Sequence, residues 1–475
     1  MGRFDITRFF VYRYRYWFGY GLITAGLIGA LFFAGFFLPG GISETEMASV
    51  VASSNVSIRD LDTLAIVNLP YHLLQKISLA LFGVSIISIK LPSIILALFS
   101  GIGLVLLLRR WFKPNTAVLV SLIAITTGQF LFIAQSGHPG ILYLFWSVWL
   151  LLMATIIARQ KQRNALPKVA FFAIAALSLY TPLSIYMLLA IISAALLHPH
   201  LRYLVLQLSK LRLAIGGGVA VILLTPLVLA ILQRPALGLE LLGIPVSRPD
   251  FGANLMSLAE QYLGFSQSGG TTLMTPFFAL GSMLIIGIGI YNLVRTRFSA
   301  QSYVIMAWIV LLLPVIALNP TFTSITFLPL VLLLASGLNF LLSYWYSLFP
   351  RNPYARIGGL IPVIALVGVL LVSGIDRYVY GYRYDPDIVP SFSKDLRLLP
   401  DNTEHLVVGK EENDFYQVVA KYNPDLTVDS SPSGESFVAT RVAKRDFNGY
   451  EVDRIITGST REGGDRFYVY KRVSD

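Results

Sequence analysis

Cysteine is absent from this 475-residue chain, and charged residues are scarce. Without cysteine, the protein can form neither disulfides nor thiolate metal sites. Asp, Glu, Lys and Arg together make up 13% of the residues, whereas soluble domains carry about 25%. The sequence also lacks the G-x-G-x-x-G and Walker patterns, so nothing in it argues for nucleotide binding. These absences point away from a soluble nucleotide-dependent enzyme and towards a membrane protein.

Long apolar runs dominate the sequence instead. Hydrophobic residues make up 55% of the chain, and the mean hydropathy is +0.67. Basic residues sit in short clusters between the apolar runs, so the net charge of +11 is explained by membrane topology and does not indicate nucleic-acid binding. We predict a polytopic membrane protein with about eleven transmembrane helices. The predicted spans are 19–39, 92–108, 116–134, 141–158, 169–180, 182–197, 213–232, 273–293, 302–318, 321–342 and 357–375.

The segment 169–197 is either one long helix or two short ones. Pro182 in Tyr180-Thr181-Pro182 disfavours helix at the preceding residue and removes a backbone hydrogen bond, which favours two. With eleven spans, most Lys and Arg residues outside the tail face the cytoplasm, as the positive-inside rule requires. We therefore expect a multi-pass protein of the plasma membrane, with a cytoplasmic N-terminus and an extracytoplasmic tail.

Two regions of different composition follow from this topology. Residues 1–375 form the transmembrane module, with long outer loops at 40–91 and 233–272, the second containing a short helix near 254–263. Residues 376–475 are polar and predict a small extracytoplasmic α/β domain. Its expected elements are strands at 406–408, 426–429, 450–456 and 467–473 and a helix at 411–422. The predicted fold class is an all-α polytopic membrane protein with a C-terminal α/β domain.

Two carboxylates open the first outer loop. Ser43-Glu44-Thr45-Glu46 fits the capping box S-x-x-E, with Ser43 as N-cap and Glu46 at the third helical position. The capping box explains Glu46 completely but leaves Glu44 unexplained in the first turn, where the helix dipole stabilises negative charge. Glu44 is the first candidate for a general base and Glu46 the second; the alternative is that both are only solvated.

Cations and histidines surround this loop. Lys76 and Lys90 lie on the outer side against the usual charge bias, so they either bind a lipid phosphate or snorkel to the head groups. His72 opens an amphipathic helix in Asn68-Leu69-Pro70-Tyr71-His72 and is either an acid–base group or a local hydrogen-bonding partner. His138 lies in a turn between spans three and four, which a plain turn also explains.

Arg377 and Arg383 follow the last predicted span in the sequence GIDRYVYGYR. They are further candidates for contact with a donor phosphate, because they place cations at the outer interface of the membrane. The neighbouring tyrosines need no functional explanation, since aromatic residues commonly line membrane interfaces.

The order of motifs in the first loop resembles that of the GT-C superfamily of polyprenyl-phosphate-sugar-dependent glycosyltransferases, in particular the protein O-mannosyltransferase and aminoarabinose-transferase type. The resemblance is carried by the acidic start of the loop, a Pro-Tyr-x-Leu-Leu-x-Lys pattern, Leu81-Phe82-Gly83 and Ile89-Lys90-Leu91-Pro92-Ser93. It is best over residues 20–200. It implies an inverting transfer of sugar from a polyprenyl-phosphate donor to a lipid, glycan or protein acceptor, with the first-loop acid as base. Tyr71, His72 and His138 are further candidates for contact with the donor phosphate or the substrate.

The sequence departs from the family pattern at two places. The usual Asp-Glu pair is replaced by Ser43-Glu44 in one register, or by Glu44 and Glu46 in another. The turn that often carries a second acid reads Gln135-Ser136-Gly137-His138-Pro139-Gly140, which leaves open whether a divalent cation is required. We predict no set of metal ligands. The alternatives are a catalytically inactive protein of this fold and a lipid or polysaccharide transporter, although a transporter should carry charges inside its spans.

Overall fold

The computed structural model of the protein describes most of the chain. The described residues are 14–37, 41–57, 60–159, 165–245, 249–263, 278–348, 353–380, 392, 394–458 and 465–473. Arg383 and residues 264–277 of the second outer loop lie outside them.

The first part of the chain is helical, and short breaks in it coincide with capping residues. Ser43, Ser85 and Thr127 each accept a hydrogen bond from a backbone N–H in the first turn of the helix that they precede. The helices in this part are α1 (Arg15–Phe37), α2 (Glu44–Asn55), α3 (Leu61–Leu64), α4 (Leu69–Phe82), α5 (Ile86–Trp111), α6 (Pro114–Thr126), α7 (Gly128–Gln135) and α8 (Ile141–Arg159).

The segment 169–197 forms two helices, as predicted. The break between them contains Pro182, and Leu183 has a positive φ of 62°, which a non-glycine residue rarely adopts in a continuous helix. The further helices are α9 (Leu166–Ser178), α10 (Ser184–Leu197), α11 (Pro199–Leu206), α12 (Lys210–Gln233), α13 (Pro235–Leu241), α14 (Phe251–Leu263), α15 (Leu280–Arg295), α16 (Ala300–Leu318), α17 (Phe327–Leu348), α18 (Pro353–Gly358) and α19 (Leu360–Tyr378). The short helix expected in the second outer loop is α14.

Each predicted span overlaps an apolar helix, and the chain is a multi-pass membrane protein. Within the described residues, six helices are long and apolar enough to cross a membrane, and eight do so if each bent pair counts as one span. The bent pairs are α6 with α7, at 59°, and α10 with α11, at 95°. The apolar stretch Trp17–Leu31 within α1 and the helices α9 and α15 are shorter. The number of eleven spans therefore stays a prediction.

Close backbone contacts hold the membrane helices together. Where α15 crosses α17, a Cβ on Gly289 would lie 2.0 Å from the Leu333 carbonyl oxygen, and a Cβ on Gly337 would lie 2.0 Å from that of Ile285. Only glycine permits this approach, and membrane helices commonly use small residues in this way because lipid gives no hydrophobic drive for their association.

The C-terminal region forms a five-stranded sheet with one helix. Its elements are β1 (His405–Val407), α20 (Asn413–Tyr422), β2 (Thr427–Asp429), β3 (Ser436–Thr440), β4 (Tyr450–Thr457) and β5 (Arg466–Arg472). The strand order is β2-β1-β3-β5-β4; β1 is parallel to β2 and β3, and β5 is antiparallel to β3 and β4. The fold class of helical membrane module plus small α/β domain is confirmed. Strand β3 was not predicted, because its five residues, SFVAT, are mostly buried and do not alternate.

Contacts define which parts of the chain lie on one side of the membrane. Helix α20 packs on α2, so the C-terminal domain and the first outer loop share a side. Ala230, near the C-terminal end of α12, lies in one apolar cluster with Val56 and Leu64 of the same loop. The N-terminal end of α12 therefore lies on the opposite side.

Single-cysteine labelling tests this topology, and the absence of native cysteine makes the experiment clean. We expect Asn55→Cys and Ser430→Cys to react with a membrane-impermeant maleimide on intact cells. Ser209→Cys, just before α12, should react only after permeabilisation. Labelling of Ser430→Cys and Ser209→Cys from the same side would contradict the arrangement.

Candidate functional site

The candidate site begins at the N-terminus of α2, where the expected capping box is present. The backbone N–H of Glu46 donates to the Ser43 hydroxyl at 3.2 Å. In return, the backbone N–H of Ser43 donates to Oε2 of Glu46 at 2.8 Å. Glu44 precedes them in the first turn with an exposed side chain, whereas Glu46 is fully buried at 0% exposure. The two acids thus face different surroundings.

Glu46 does more than cap the helix. Its second oxygen, Oε1, accepts a hydrogen bond from the backbone N–H of Gly137 at 2.5 Å and lies 3.8 Å from the ammonium nitrogen of Lys90. Lys90 is only 3% exposed and donates to Oε1 of Gln135 at 2.9 Å. This buried ion pair joins α2, α5 and the turn after α7.

Gly137 allows the backbone to come this close. A Cβ at this position would lie 2.5 Å from the Ile89 side chain and 3.3 Å from Oε1 of Glu46. Any larger residue would push the turn away from the carboxylate. The turn 135–140, which carries no acidic residue, therefore binds the first-loop acid through its backbone.

A second set of polar contacts continues the junction along α2. The hydroxyls of Ser49 and Ser53 both donate to Oε1 of Gln75, at 2.8 and 2.7 Å. The amide nitrogen of Gln75 donates to the carbonyls of Gly137 at 2.9 Å and Ile89 at 3.1 Å. All the hydrogen-bonding capacity of this buried amide is used, so Gln75 connects α2, α4, α5 and the turn.

Helix α4 turns its polar face inward and its apolar face outward. The polar residues His72, Gln75 and Ser78 are buried, while the apolar residues Ile77 and Leu81 are exposed. The arrangement is the reverse of that in a soluble protein. It fits a helix at the membrane interface, whose apolar side chains contact lipid while its polar side chains satisfy one another inside the protein.

Tyr71 and His72 contribute to this polar interior. The Tyr71 hydroxyl lies 2.8 Å from the Ser93 hydroxyl, and Nδ1 of His72 lies 2.8 Å from the Ser53 hydroxyl. Burial lowers the pKa of His72 to about 4, so its ring is uncharged at neutral pH. In this arrangement His72 joins α4 to Ser53 of α2 and carries no charge for a phosphate.

His138 is half-buried in the turn. Its Nδ1 accepts a hydrogen bond from the backbone N–H of Gly140 at 3.0 Å. Burial lowers the pKa of His138, and the nearby charge of Glu46 opposes that shift only in part. The plain-turn interpretation accounts for its contacts.

The two lysines assigned to a donor phosphate have structural partners. Lys76 donates to the carbonyl of Val56 just after the end of α2, which suits a cation at a helix C-terminus. Lys90 is enclosed with Glu46 and Gln135. A phosphate contact by either lysine would require these bonds to break.

The C-terminal domain closes over the start of α2. The backbone N–H of Ile42 donates to the carbonyl of Lys394 at 2.6 Å in an isolated antiparallel bridge. The Lys394 side chain forms an ion pair with buried Glu412. Burial lowers the pKa of Lys394, while Asp465 and, more weakly, Glu44 act to raise it, which places Lys394 in the field of the exposed acid.

Apolar side chains from both regions form one cluster. Ile42, Met47 and Val50 from the first loop pack together with Phe415 and Val419 of α20. At the far end of α2, the ammonium group of Lys421 donates to the Ser54 hydroxyl at 3.0 Å. The domain thus contacts α2 along its length and fixes the position of its first turn.

Arg377 lies in the last turn of α19, which packs against α6 and α7. One turn earlier, a Cβ on Gly374 would lie 2.4 Å from the Thr126 carbonyl, so α19 approaches the bend between α6 and α7 closely. Arg377 follows Gly374 in α19. It therefore lies past the bend, towards the end of α7 at Gln135. Among the described residues, no group of three His, Asp or Glu side chains could hold a metal ion.

Sequence reasoning missed most of the residues that hold the acids in place. Gln75, Gln135 and Gly137 were not singled out as partners of α2, nor were Lys394 and Glu412. One signal was available: Ser43, Glu46, Ser49 and Ser53 recur at intervals of three to four residues, a polar stripe along one face of a buried helix.

Comparisons with known proteins agree with this architecture. The family model described as dolichyl-phosphate-mannose-protein mannosyltransferase matches residues 69–229, about a third of the chain. No curated protein sequence matches significantly. Two crystal structures of ArnT from Cupriavidus metallidurans, one bound to undecaprenyl phosphate and one in the apo state, align over 96% of this chain and 98% of theirs. Their sequence identities are 11% and 12%, and their TM-scores are 0.51 and 0.52.

An oligosaccharyltransferase of Archaeoglobus fulgidus, tethered to an acceptor peptide, is also similar. It aligns over 88% of this chain and 64% of its own, with 12% identity and a TM-score of 0.53. At such identities the likeness shows the fold alone. The family model, over a third of the chain, and the shared fold both agree with the resemblance to GT-C glycosyltransferases.

The buried ion pair makes a direct prediction about stability. Glu46→Gln keeps the capping box, because Gln also serves at that position, but leaves the buried Lys90 without its counter-charge. We expect a loss of about 3–5 kcal/mol of folding free energy, measured as thermal unfolding in detergent. The matched control Glu44→Gln, at an exposed position, should change the folding free energy by no more than about 0.5 kcal/mol.

Adding Lys90→Met to Glu46→Gln should recover part of the lost folding free energy. Wild-type stability in Glu46→Gln would refute the ion pair.

The contact of the C-terminal domain with α2 can be tested with two phenylalanines from separate clusters of the domain, Phe415 of α20 and Phe437 of β3. Phe415 packs in the cluster shared with α2, whereas Phe437 packs in the separate cluster with Phe447 and Tyr470. Each Phe→Ala change should destabilise the domain by about 3–5 kcal/mol. Only Phe415→Ala should also raise the rate at which a cysteine placed at Met47 is labelled. Equal labelling in both variants would show that the domain does not cover α2.

Proposed function

We propose that the protein is a membrane glycosyltransferase that transfers a sugar from a polyprenyl-phosphate donor to an acceptor. The GT-C fold supports this, since the ArnT structure to which the chain is similar holds undecaprenyl phosphate and the similar oligosaccharyltransferase holds an acceptor peptide. The reaction takes place on the side of the membrane that carries the first outer loop and the C-terminal domain, which we assign as extracytoplasmic.

The observation that carries the proposal is the contrast between the two acids. Glu46 is fully buried, and both of its oxygens are bound. Glu44 is exposed two residues away, on a helix whose other face is fixed by hydrogen bonds to α4 and by the turn after α7. A base must reach a proton on the acceptor and keep a defined position, and Glu44 meets both conditions. We assign Glu44 as the base and Glu46 as a positioning residue.

The proposed reaction is a single displacement. Glu44 accepts the proton of the acceptor nucleophile as that atom attacks the anomeric carbon of the sugar. The bond between this carbon and the phosphate oxygen breaks, and the polyprenyl phosphate leaves with the bonding electrons. Attack opposite the leaving group inverts the anomeric centre. The acceptor is a lipid, glycan or protein, and no resident cofactor has a step in this scheme.

The leaving phosphate gains negative charge, so a cation must lie near it. Lys76 and Lys90 are bound to Val56 and Glu46 in this structure, which makes them weaker candidates than their sequence positions suggested. We assign the phosphate contact to Arg377, which is half-buried at the end of α19 and lies on the side of Gln135. Its planar guanidinium suits a phosphate with two oxygens available.

Replacement of the base separates chemistry from folding. Glu44→Gln should lower the rate of sugar transfer on the order of a hundredfold or more, while the thermal unfolding temperature and the affinity for polyprenyl phosphate stay unchanged. The measurement uses the purified protein with a panel of polyprenyl-phosphate-linked sugars. Glu46→Gln, assayed well below its unfolding temperature, should retain more activity than Glu44→Gln. The assignment fails if Glu44→Gln transfers sugar at the wild-type rate.

A further inference from the structure

A buried lysine lies at the opposite end of the membrane module from the candidate site. Lys168, in the first turn of α9, is 6% exposed. Its ammonium nitrogen is covered and has no hydrogen-bond partner among the described residues. A buried ammonium group without a counter-charge is costly, so a group beyond the described residues is expected to compensate it.

A second cation lies level with Lys168. Helices α9 and α12 run parallel and in register, because Phe172 packs against Gly216 and the Tyr180 hydroxyl donates to the Leu223 carbonyl at 2.8 Å. A Cβ on Gly216 would lie 2.3 Å from the Phe172 ring, so the two helices are in close contact there. One turn before these two residues stand Lys168 and Arg212, on the same faces of their helices. Arg212 is the charged group that acts on Lys168 electrostatically.

Two helix N-termini meet at the same place. Both α9 and α12 begin here, and neither has an acidic residue in its first turn. Each N-terminus carries a partial positive charge, which adds to the charges of Lys168 and Arg212. Cations at helix N-termini are unfavourable on their own, and an anion bound between them would remove the conflict.

Neither α9 nor α12 carries a carboxylate that could take this role. The sequence contains no Asp or Glu between Asp62 and Glu240, a stretch that includes all of α9 and α12. Glu240 follows the opposite end of α12. The nearest helix surface is apolar and turned outward, with Val221 and Ile222 of α12 strongly exposed, so the cations lie at the boundary between protein and lipid.

We propose that Lys168 and Arg212 form a binding site for the phosphate of an anionic phospholipid head group, between the N-termini of α9 and α12. The guanidinium of Arg212 and the ammonium group of Lys168 both suit phosphate oxygens, and the acyl chains of the lipid would lie along the exposed apolar face of α12. The site lies on the membrane face opposite the candidate active site and is independent of the proposed reaction. Free phosphate shares the same chemistry, and the experiment separates the two sources.

The test is a titration of the detergent-purified full chain with short-chain phosphatidylglycerol, using phosphatidylcholine as the uncharged comparison. The variant is Lys168→Met, which keeps the length of the side chain and removes its charge. The matched control is Lys210→Met. It removes an exposed cation from the first turn of α12, the turn that also contains Arg212. We expect Lys168→Met to weaken phosphatidylglycerol binding roughly ten- to a hundredfold, and Lys210→Met to change it by less than about threefold.

Thermal unfolding in nanodiscs gives a second readout. Wild-type protein should unfold at a higher temperature in phosphatidylglycerol than in phosphatidylcholine, because a ligand of the folded state stabilises it. Lys168→Met should lose this difference while remaining folded in both lipids. Three results would overturn the proposal: equal phosphatidylglycerol affinity in Lys168→Met, an equal loss in Lys210→Met, or stabilisation by inorganic phosphate with none by phosphatidylglycerol.

Discussion

The buried pair of Glu46 and Lys90 is the constraint on which the candidate site depends. Two charges withdrawn from water are stable only when they face each other and their remaining hydrogen bonds are made. Gly137 and Gln135 supply those bonds from a turn about ninety residues further along the chain. Because the pair requires α2, α5 and this turn to meet at one point, the first turn of α2 has one position. The exposure of Glu44 follows from that position.

The environment of α4 explains why so many polar contacts gather at this junction. A helix at the membrane boundary gains little by turning apolar side chains inward, since lipid accepts them equally well. Specific association must come from hydrogen bonds and close packing, and α4 contributes Gln75 and His72 for this purpose. The same reasoning explains Gly289 and Gly337, where two other membrane helices meet through their backbones.

Local patterns predicted the elements well, and long-range partners could not be predicted. The apolar runs, the break at Pro182, the capping box of Ser43 and Glu46 and four of the five strands follow from neighbouring residues. The partners of Glu46 do not, because nothing in the local sequence links residue 46 to residues 90 and 137. Lys76 and Lys90 illustrate the consequence. Their position on the outer side suggested a lipid phosphate, yet the structure binds them to the Val56 carbonyl and to Glu46.

The uneven distribution of carboxylates connects the two ends of the molecule. Near α2 and the C-terminal domain, acids are available, so Lys90 and Lys394 are compensated by Glu46 and Glu412 within the chain. Between Asp62 and Glu240 the chain has none, and buried Lys168 has no hydrogen-bond partner among the described residues. A protein in an anionic bilayer can leave such charges to the lipid, which a soluble protein cannot do. Ion pairs within the chain therefore fix the geometry of the candidate site. At the opposite face, our proposal assigns the compensating charge to the phosphate of a membrane lipid.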